Sequence, residues 1–394
     1  MQDFTYYTPT KVFFGHKKEE EIGKIIKSYG FKKVLLHYGT GHIKKTGLFD
    51  LITKKLEEEK IEYIDFGGVC PNPKLSLVLK GVEIVKKENV DCILAVGGGS
   101  VFDSAKSISE GAMVDFSPWL FNIKEKECQA HLPVIGILTI AASGSDMSDS
   151  CVITNEETKE KRGFSSPHNR LLAAILNPEL TYSVSKYQTA CGITDIMMHT
   201  LERYFSLGSA TPITDNIALG LLKATYDQGL VVMGDPNNYD ARATLLWANS
   251  LSHNSITGVG RNYVMSVHQL EHELSGMYDN ISHGAGLAAL WPSWARYSYT
   301  GAIPRFLRFS YEVLGIIPSD DKNKDIEAGI TKLEKYFHEI GMPTSLEELN
   351  VDESKLYELA YNTSYKGKRV LHDIKDIDTN GAYEIFKMAY HKKF

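Results

Sequence analysis

"DCILAVGGGSVFDSAKSISEGA" (residues 91–112) joins an apolar run to three glycines and then to an amphipathic segment. The run reads as a strand and the segment after it as a helix. Gly97, Gly98 and Gly99 stand at the junction, where residues without side chains let a backbone approach a ligand closely. The amide groups and dipole at the start of the helix attract anions, which points to phosphate. Ser100 followed by Asp103 also fits a capping box, a purely structural use of the same positions.

Outward from this junction the same rhythm repeats. "KVLLHYG" (33–39), "IEYIDFGG" (61–68) and "PVIGILTI" (133–140) read as strands, with "KKEEEIGKIIKSYG" and "LSLVLKGVEIVKKEN" as helices among them. Strands alternating with crossover helices specify a parallel sheet. "SCVITNEETKEKRGFSS" reads as a hairpin with a charged turn, and "LAAILNPELT" as a last strand. Beyond Pro178 helical periods take over, at 185–205, 213–233, 238–255, 264–277, 284–299 and 324–340. The chain thus divides into a parallel α/β half over 1–183 and an all-α half over 184–394.

Composition narrows the class. The 394 residues are 43% hydrophobic and 23% charged with net charge −6, ordinary for a globular enzyme and giving no electrostatic reason for a nucleic-acid partner. No basic leader precedes a long apolar stretch, and no apolar run is long enough to span a bilayer, so a cytoplasmic protein without a membrane partner is expected. Cys70, Cys92, Cys128, Cys151 and Cys191 are odd in number and scattered, and read as buried free thiols. The edge-like strand in "YYTPTKVFFG" can pair with its copy in a homodimer or be covered within one chain.

Two further loops bear on a nucleotide. "TIAASGSDMSDS" (139–150), with Thr139 and Ser143, is small and polar after a buried strand and can wrap the same phosphates or a nicotinamide ring. "HYGTGHIKKTG" follows the second strand, where an acid would bind an adenosine ribose and repel a 2′-phosphate. It carries Gly39, Thr40, Gly41, His42, Lys44 and Lys45 instead, which favours NADP over NAD. Neither the usual G-x-G-x-x-G fingerprint nor a Walker A sequence is present.

The helical half holds a different chemistry. In "GITDIMMHTLERYFS" (192–206) Asp195 and His199 are four apart and share one helix face, as a surface contact, a capping detail or half of a metal site. "SVHQLEHELSGMYDNISHGAGLAALWPSW" adds His268 and His272 one turn apart, then His283 at the start of another helix. Asp195, His199, His268 and His283 make an N3O donor set suited to Fe(II) or Zn(II), and the lack of thiolates argues against a structural zinc.

"GGGSVFDSAK", "GITDIMMHTLE", "HQLEHELS" and "HGAGLA" together resemble the iron-containing (group III) alcohol dehydrogenase family. "WPSWARY" and "YGTGHIKKTGLFD" bring the chain near its butanol dehydrogenase type. The resemblance implies an α/β Rossmann-like dinucleotide-binding domain over 1–183, an all-α metal-binding and catalytic domain over 184–394, and a metal in the cleft between them, ligated by Asp195, His199, His268 and His283. To His272 it gives a supporting or proton-relay role. It places the cofactor on Gly97, Gly98, Gly99, Ser100 and Asp103, with Thr139 and Ser143 nearby. The activity implied is hydride transfer between NAD(P)H and short-chain aldehydes or primary alcohols. Three departures stand out: one residue more than usual between Tyr278 and His283, His42 where serine is common, and Asp146 where glutamate is. A dehydroquinate synthase-like lyase, or an enzyme acting on a polyol phosphate, shares the architecture. Either would need basic residues gathered at the site, whereas Met197, Met198, Leu270, Met277, Leu287 and Trp291 surround these segments.

Overall fold

In the computed structural model, which describes residues 1–208 and 211–391, the strands are β1 (Lys11–Phe14), β2 (Lys33–Gly39), β3 (Glu62–Val69), β4 (Cys92–Gly97), β5 (Val134–Leu138), β6 (Ser150–Asn155), β7 (Glu160–Ser165) and β8 (Ala173–Leu176). Six of them form one sheet in the order β1-β8-β5-β4-β2-β3, every pairing parallel. β6 and β7 form the antiparallel hairpin, in register from Ser150 opposite Ser165 to Asn155 opposite Glu160. β4 is buried along its whole length, as a central strand covered on both faces must be.

The order of strands determines where a ligand can sit. From β2 the chain steps outward to β3, then crosses back to β4 and continues the other way to β5 and β8. The crossover connections leaving β2 and β4 therefore diverge, and in open parallel sheets the crevice beyond the carboxyl ends of such a pair is the binding position. Gly39 ends β2 and Gly97 ends β4, so both glycine loops lie at this switch point.

Tyr7–Ser183 make up one compact unit, and Met1–Tyr6 with the chain from Val184 onward make up the other. The second is helical: Lys186–Tyr204, Pro212–Gly234, Tyr239–His253, Ser266–Met277, His283–Ser298 and Lys322–Glu339 match the six periods read above. Helices Ile303–Glu312, Leu356–Thr363 and Thr379–Tyr390 are additional there, and Leu48–Glu58 is additional in the first unit. Pro304 looks like a breaker but stands in the first turn, where its missing N–H costs nothing. "DTNG" looks like a turn, yet Asp378 caps the last helix by accepting from the Gly381 N–H at 2.8 Å. Among the described residues no helix is long and apolar enough to cross a membrane. All five cysteines are unpaired, but only Cys92, Cys151 and Cys191 are buried: Cys128 is partly exposed and Cys70, on the loop after β3, is exposed.

A buried imidazole is built into the sheet. His37, fully buried on β2, places Nδ1 2.8 Å from the Phe66 carbonyl and Nε2 2.9 Å from Ser104 Oγ. A carbonyl only accepts, so Nδ1 donates, the Ser104 hydroxyl donates to Nε2, and the ring is neutral. Burial pushes its pKa from 6.5 down to about 4. The unfolded chain takes up this proton below pH 6.5 and the folded chain does not until about pH 4. Stability present above pH 6.5 is therefore lost as the pH falls through that window, on the order of 3 kcal/mol in all. Denaturant midpoints from pH 7.5 to 4 should fall less for His37→Gln than for the unmodified chain, and parallel curves would refute the assignment.

Candidate functional site

The helix Gly99–Gly111 starts directly from the β4 turn, and its N-cap, Gly98, supplies no side-chain hydrogen bond. Its first amide groups are thus not met by a capping side chain, as an anion site requires. The 139–150 segment packs against the same turn. The Thr139 N–H donates to the Gly97 carbonyl at 3.0 Å, and a Cβ on Gly99 would overlap the Ser143 hydroxyl. Gly97, Gly98, Gly99, Ser100, Thr139 and Ser143 are therefore neighbours at the carboxyl ends of β4 and β5.

Asp103 faces elsewhere. Rather than closing a capping box with Ser100, its carboxylate accepts from Ser145 Oγ at 2.6 Å and from the Val152 N–H at 3.1 Å. Lys106, one turn further on and 1% exposed, donates to Ser145 Oγ at 2.9 Å and to the Ser150 carbonyl at 2.9 Å, with its Nζ 4.0 Å from Asp103. Burial works against both charges, raising the pKa of Asp103 and lowering that of Lys106. Their hydrogen bonds tie the second loop to the glycine-turn helix from inside. Asp103 thus holds the loop in place.

The β2 loop is arranged by its neighbours. Gly39 ends the strand, Gly41 precedes the short helix His42–Lys45, and His42 Nε2 lies 3.0 Å from Ser183 Oγ. Lys45 is exposed. Lys44 is 2.8 Å from Asp65 of β3 and lies over the rings of Tyr38 and Phe49.

In the helical unit Asp195, His199 and Glu202 share a face of helix Lys186–Tyr204. That helix is closed at both ends: Ser185 accepts from the Gln188 N–H at 3.2 Å, and Arg261 and Arg305 donate to the terminal carbonyls of Arg203 and Tyr204 at 2.9 and 3.0 Å. Ligand atoms of Asp195, His199 and His268 all lie within 4.8 Å of one another. Asp195 Oδ1 is 3.2 Å from His199 Nδ1 and 3.5 Å from His268 Nε2, and all three atoms are buried without a well-formed hydrogen bond. Three buried polar atoms converging unsatisfied is costly in a protein interior, and a cation among them removes the cost.

Two carboxylates not singled out from the sequence prepare the imidazoles. Glu202 bonds His268 Nδ1 and also accepts the N–H groups of Val267 and His268 at 2.6 and 3.3 Å. Glu271 bonds Nδ1 of His283. Since a carboxylate accepts, each Nδ1 carries the proton, and the Nε2 lone pair is left for a metal. Burial opposes charge on His268, but the carboxylates of Glu202 and Asp195 outweigh it and push its pKa up to about 9. His199 is lowered, by burial and then by His253 and His268. The two carboxylates thus favour positive charge at His268, which either a proton on Nε2 or a cation in its place supplies.

His283 approaches the set without completing it: its Nε2 is 3.8 Å from Asp195 Oδ1, and the side chain is 26% exposed. Its helix can come this close because a Cβ on Gly284 would collide with the Cys191 backbone of helix Lys186–Tyr204. His272 belongs to a second group with Glu271 and His283, its ring centre 5.6 Å from that of His283 and 6.5 Å from that of His268. His253, at the end of helix Tyr239–His253, stacks on His199 with ring centres 4.0 Å apart. No local spacing announces His253, whereas Glu202 stands seven residues after Asp195 and Glu271 three after His268, both spacings that share a helix face. Met197, Met198, Leu270, Leu287 and Trp291 are wholly buried and are core.

Residues 9–178 match the iron-containing alcohol dehydrogenase family, and residues 189–390 match the carboxyl-terminal part of the Fe-containing alcohol dehydrogenase family. The chain is 38% identical to NADH-dependent butanol dehydrogenase A of Clostridium acetobutylicum, covering 99% of this chain and 100% of that one. It is 30% identical to the NADPH-dependent aldehyde reductase YqhD of Escherichia coli, covering 99% and 100%. The crystal structure of NADH-dependent butanol dehydrogenase A from Thermotoga maritima superposes with a TM-score of 0.95 at 35% identity, over 99% of both chains. With both halves matched and a full-length relative at 38% identity, the chain belongs to the iron-containing alcohol dehydrogenase family.

Proposed function

We propose that this chain is a metal-dependent alcohol dehydrogenase that works as an NAD(P)H-linked reductase of short-chain aldehydes such as butanal, and in reverse on primary alcohols. The observation that carries the metal reading is the convergence of Asp195 Oδ1, His199 Nδ1 and His268 Nε2, buried and unsatisfied. His283 is the fourth ligand in this proposal, its Nε2 already turned toward Asp195. A set of three imidazoles and one carboxylate accepts Fe(II) or Zn(II). The chemistry supplied on binding is Lewis-acid polarisation of a substrate oxygen by the ion and hydride exchange with the nicotinamide ring.

The protein's own residues do the rest. Glu202 and Glu271 hold His268 and His283 in the tautomer that presents Nε2. Gly97–Ser100 and the Thr139–Ser143 segment receive the dinucleotide phosphates, on the backbone donors of the turn and the helix start. His272 carries a proton to or from the substrate oxygen, with the neighbouring imidazoles fixing its approach. Residues 1–183 thus act as the dinucleotide-binding domain and residues 184–394 as the metal-binding, catalytic one. Among the described residues β1 pairs only with β8, so its other edge is open to a second copy, which supports a homodimer. A cytoplasmic location fits five unpaired cysteines.

A cofactor-absorbance assay of the metal-loaded protein tests the activity: butanal should be turned over and a phosphorylated polyol should not, and the opposite result would reject the proposal. For the ligands, His268→Ala should lose most bound metal while still binding dinucleotide; full metal occupancy would remove His268 from the set. Glu202→Gln keeps an acceptor for Nδ1 but removes the charge, so metal affinity measured against a chelator should drop on the order of 10- to 100-fold. An unchanged affinity would show that the carboxylate only caps the helix. His272→Ala should retain metal and lose on the order of 10²- to 10⁴-fold in rate with an altered pH profile. A variant matching the parent in both would deny His272 any part.

A further inference from the structure

The absence of an acid from the β2 loop is a statement about sequence, and the fold supplies one from the adjacent strand. Asp65 lies on β3, opposite Leu36 of β2 in the parallel register. Its Oδ2 is 2.8 Å from Lys44 Nζ, and its Oδ1 accepts from the Tyr38 hydroxyl at 2.6 Å. Tyr38 is 5% exposed, and its ring meets Phe49 edge-on at 5.6 Å. The Lys44 ammonium sits over both rings, 5.1 and 4.4 Å from their centres. Lys44 is thus held by one carboxylate and two aromatic faces, and points along the protein surface toward β3.

We infer that Asp65 is a specificity-determining residue that tilts this site toward NADH by capturing Lys44. The inference rests on the dinucleotide reading above, which puts the adenosine ribose at the end of β2. A 2′-phosphate at that ribose needs uncompensated positive charge within reach. Of the two lysines in "HIKK", one is already neutralised by Asp65. A free 2′-hydroxyl needs no such positive charge. The lysine pair that favours NADP when the sequence is read alone is therefore reduced to Lys45.

Asp65 and Lys44 are both more than two-fifths exposed, so variants at either position leave the core intact. Direct binding of NADPH and NADH, followed by coenzyme fluorescence, needs no turnover and complements kcat/KM for butanal with each coenzyme. The unmodified protein should bind NADH more tightly. Asp65→Asn should raise NADPH affinity roughly three- to tenfold with NADH changed less than about twofold, in line with the modest strength of exposed charge interactions. The gain should shrink as ionic strength rises from about 0.02 to about 0.3 M, and Lys44→Ala in the Asp65→Asn background should abolish it. Tighter NADPH binding by the unmodified protein, an unchanged coenzyme ratio in Asp65→Asn, or a gain that survives loss of Lys44 would each overturn the inference alone. Binding of neither coenzyme by the unmodified protein would overturn the functional reading and the inference together.

Discussion

Glu202 connects the helical unit to its chemistry. One carboxylate, 3% exposed, receives two backbone N–H groups at the start of helix Ser266–Met277 and the Nδ1–H of His268. The residue before that helix, Met265, is left-handed and gives no side-chain cap, so the helix is capped from helix Lys186–Tyr204. Asp195 and His199 belong to that same donor helix. The bond that starts the second helix therefore also sets the height and rotation of His268 against Asp195 and His199. Leaving such a charge buried and unpaired typically costs about 3–5 kcal/mol, which couples the stability of this corner to the integrity of the site.

The α/β unit solves a related problem in the opposite place. A glycine turn that must leave its amides available to a ligand cannot also be held by capping side chains. Asp103 and Lys106 hold it from beneath, bonding the 145–152 segment to the body of helix Gly99–Gly111. The polar groups that look like ligand contacts thus divide into backbone donors facing outward and a buried ion pair facing inward. Preorganisation of this kind spares the ligand the cost of ordering two loops.

The strand rhythm, the hairpin, the glycine turn, three helices of the α/β half and six of the helical half were legible because each depends on a local period or on a residue with a special backbone. Helices Ile303–Glu312 and Thr379–Tyr390 were not, because Pro304 and Gly381 carry the signature of loops and only their position in the first turn makes them harmless. The candidate ligands are visible through their spacing. Glu271 and Glu202 are not, although each repeats on the helix face of a candidate ligand, because a buried carboxylate and a solvated one look identical in sequence.

Amino-acid order by itself determined the parallel α/β half, the helical half, the glycine turn and the candidate donors, since these follow from periodicity, chain stiffness and side-chain chemistry acting over a few residues. Tertiary structure alone decided which charges meet. Asp103 turns inward to Ser145, His253 stacks on His199 from 54 positions away, and Asp65 reaches across a strand pairing to take Lys44. A charge acts through its distance to other charges and its exposure to water, and both are properties of the folded chain.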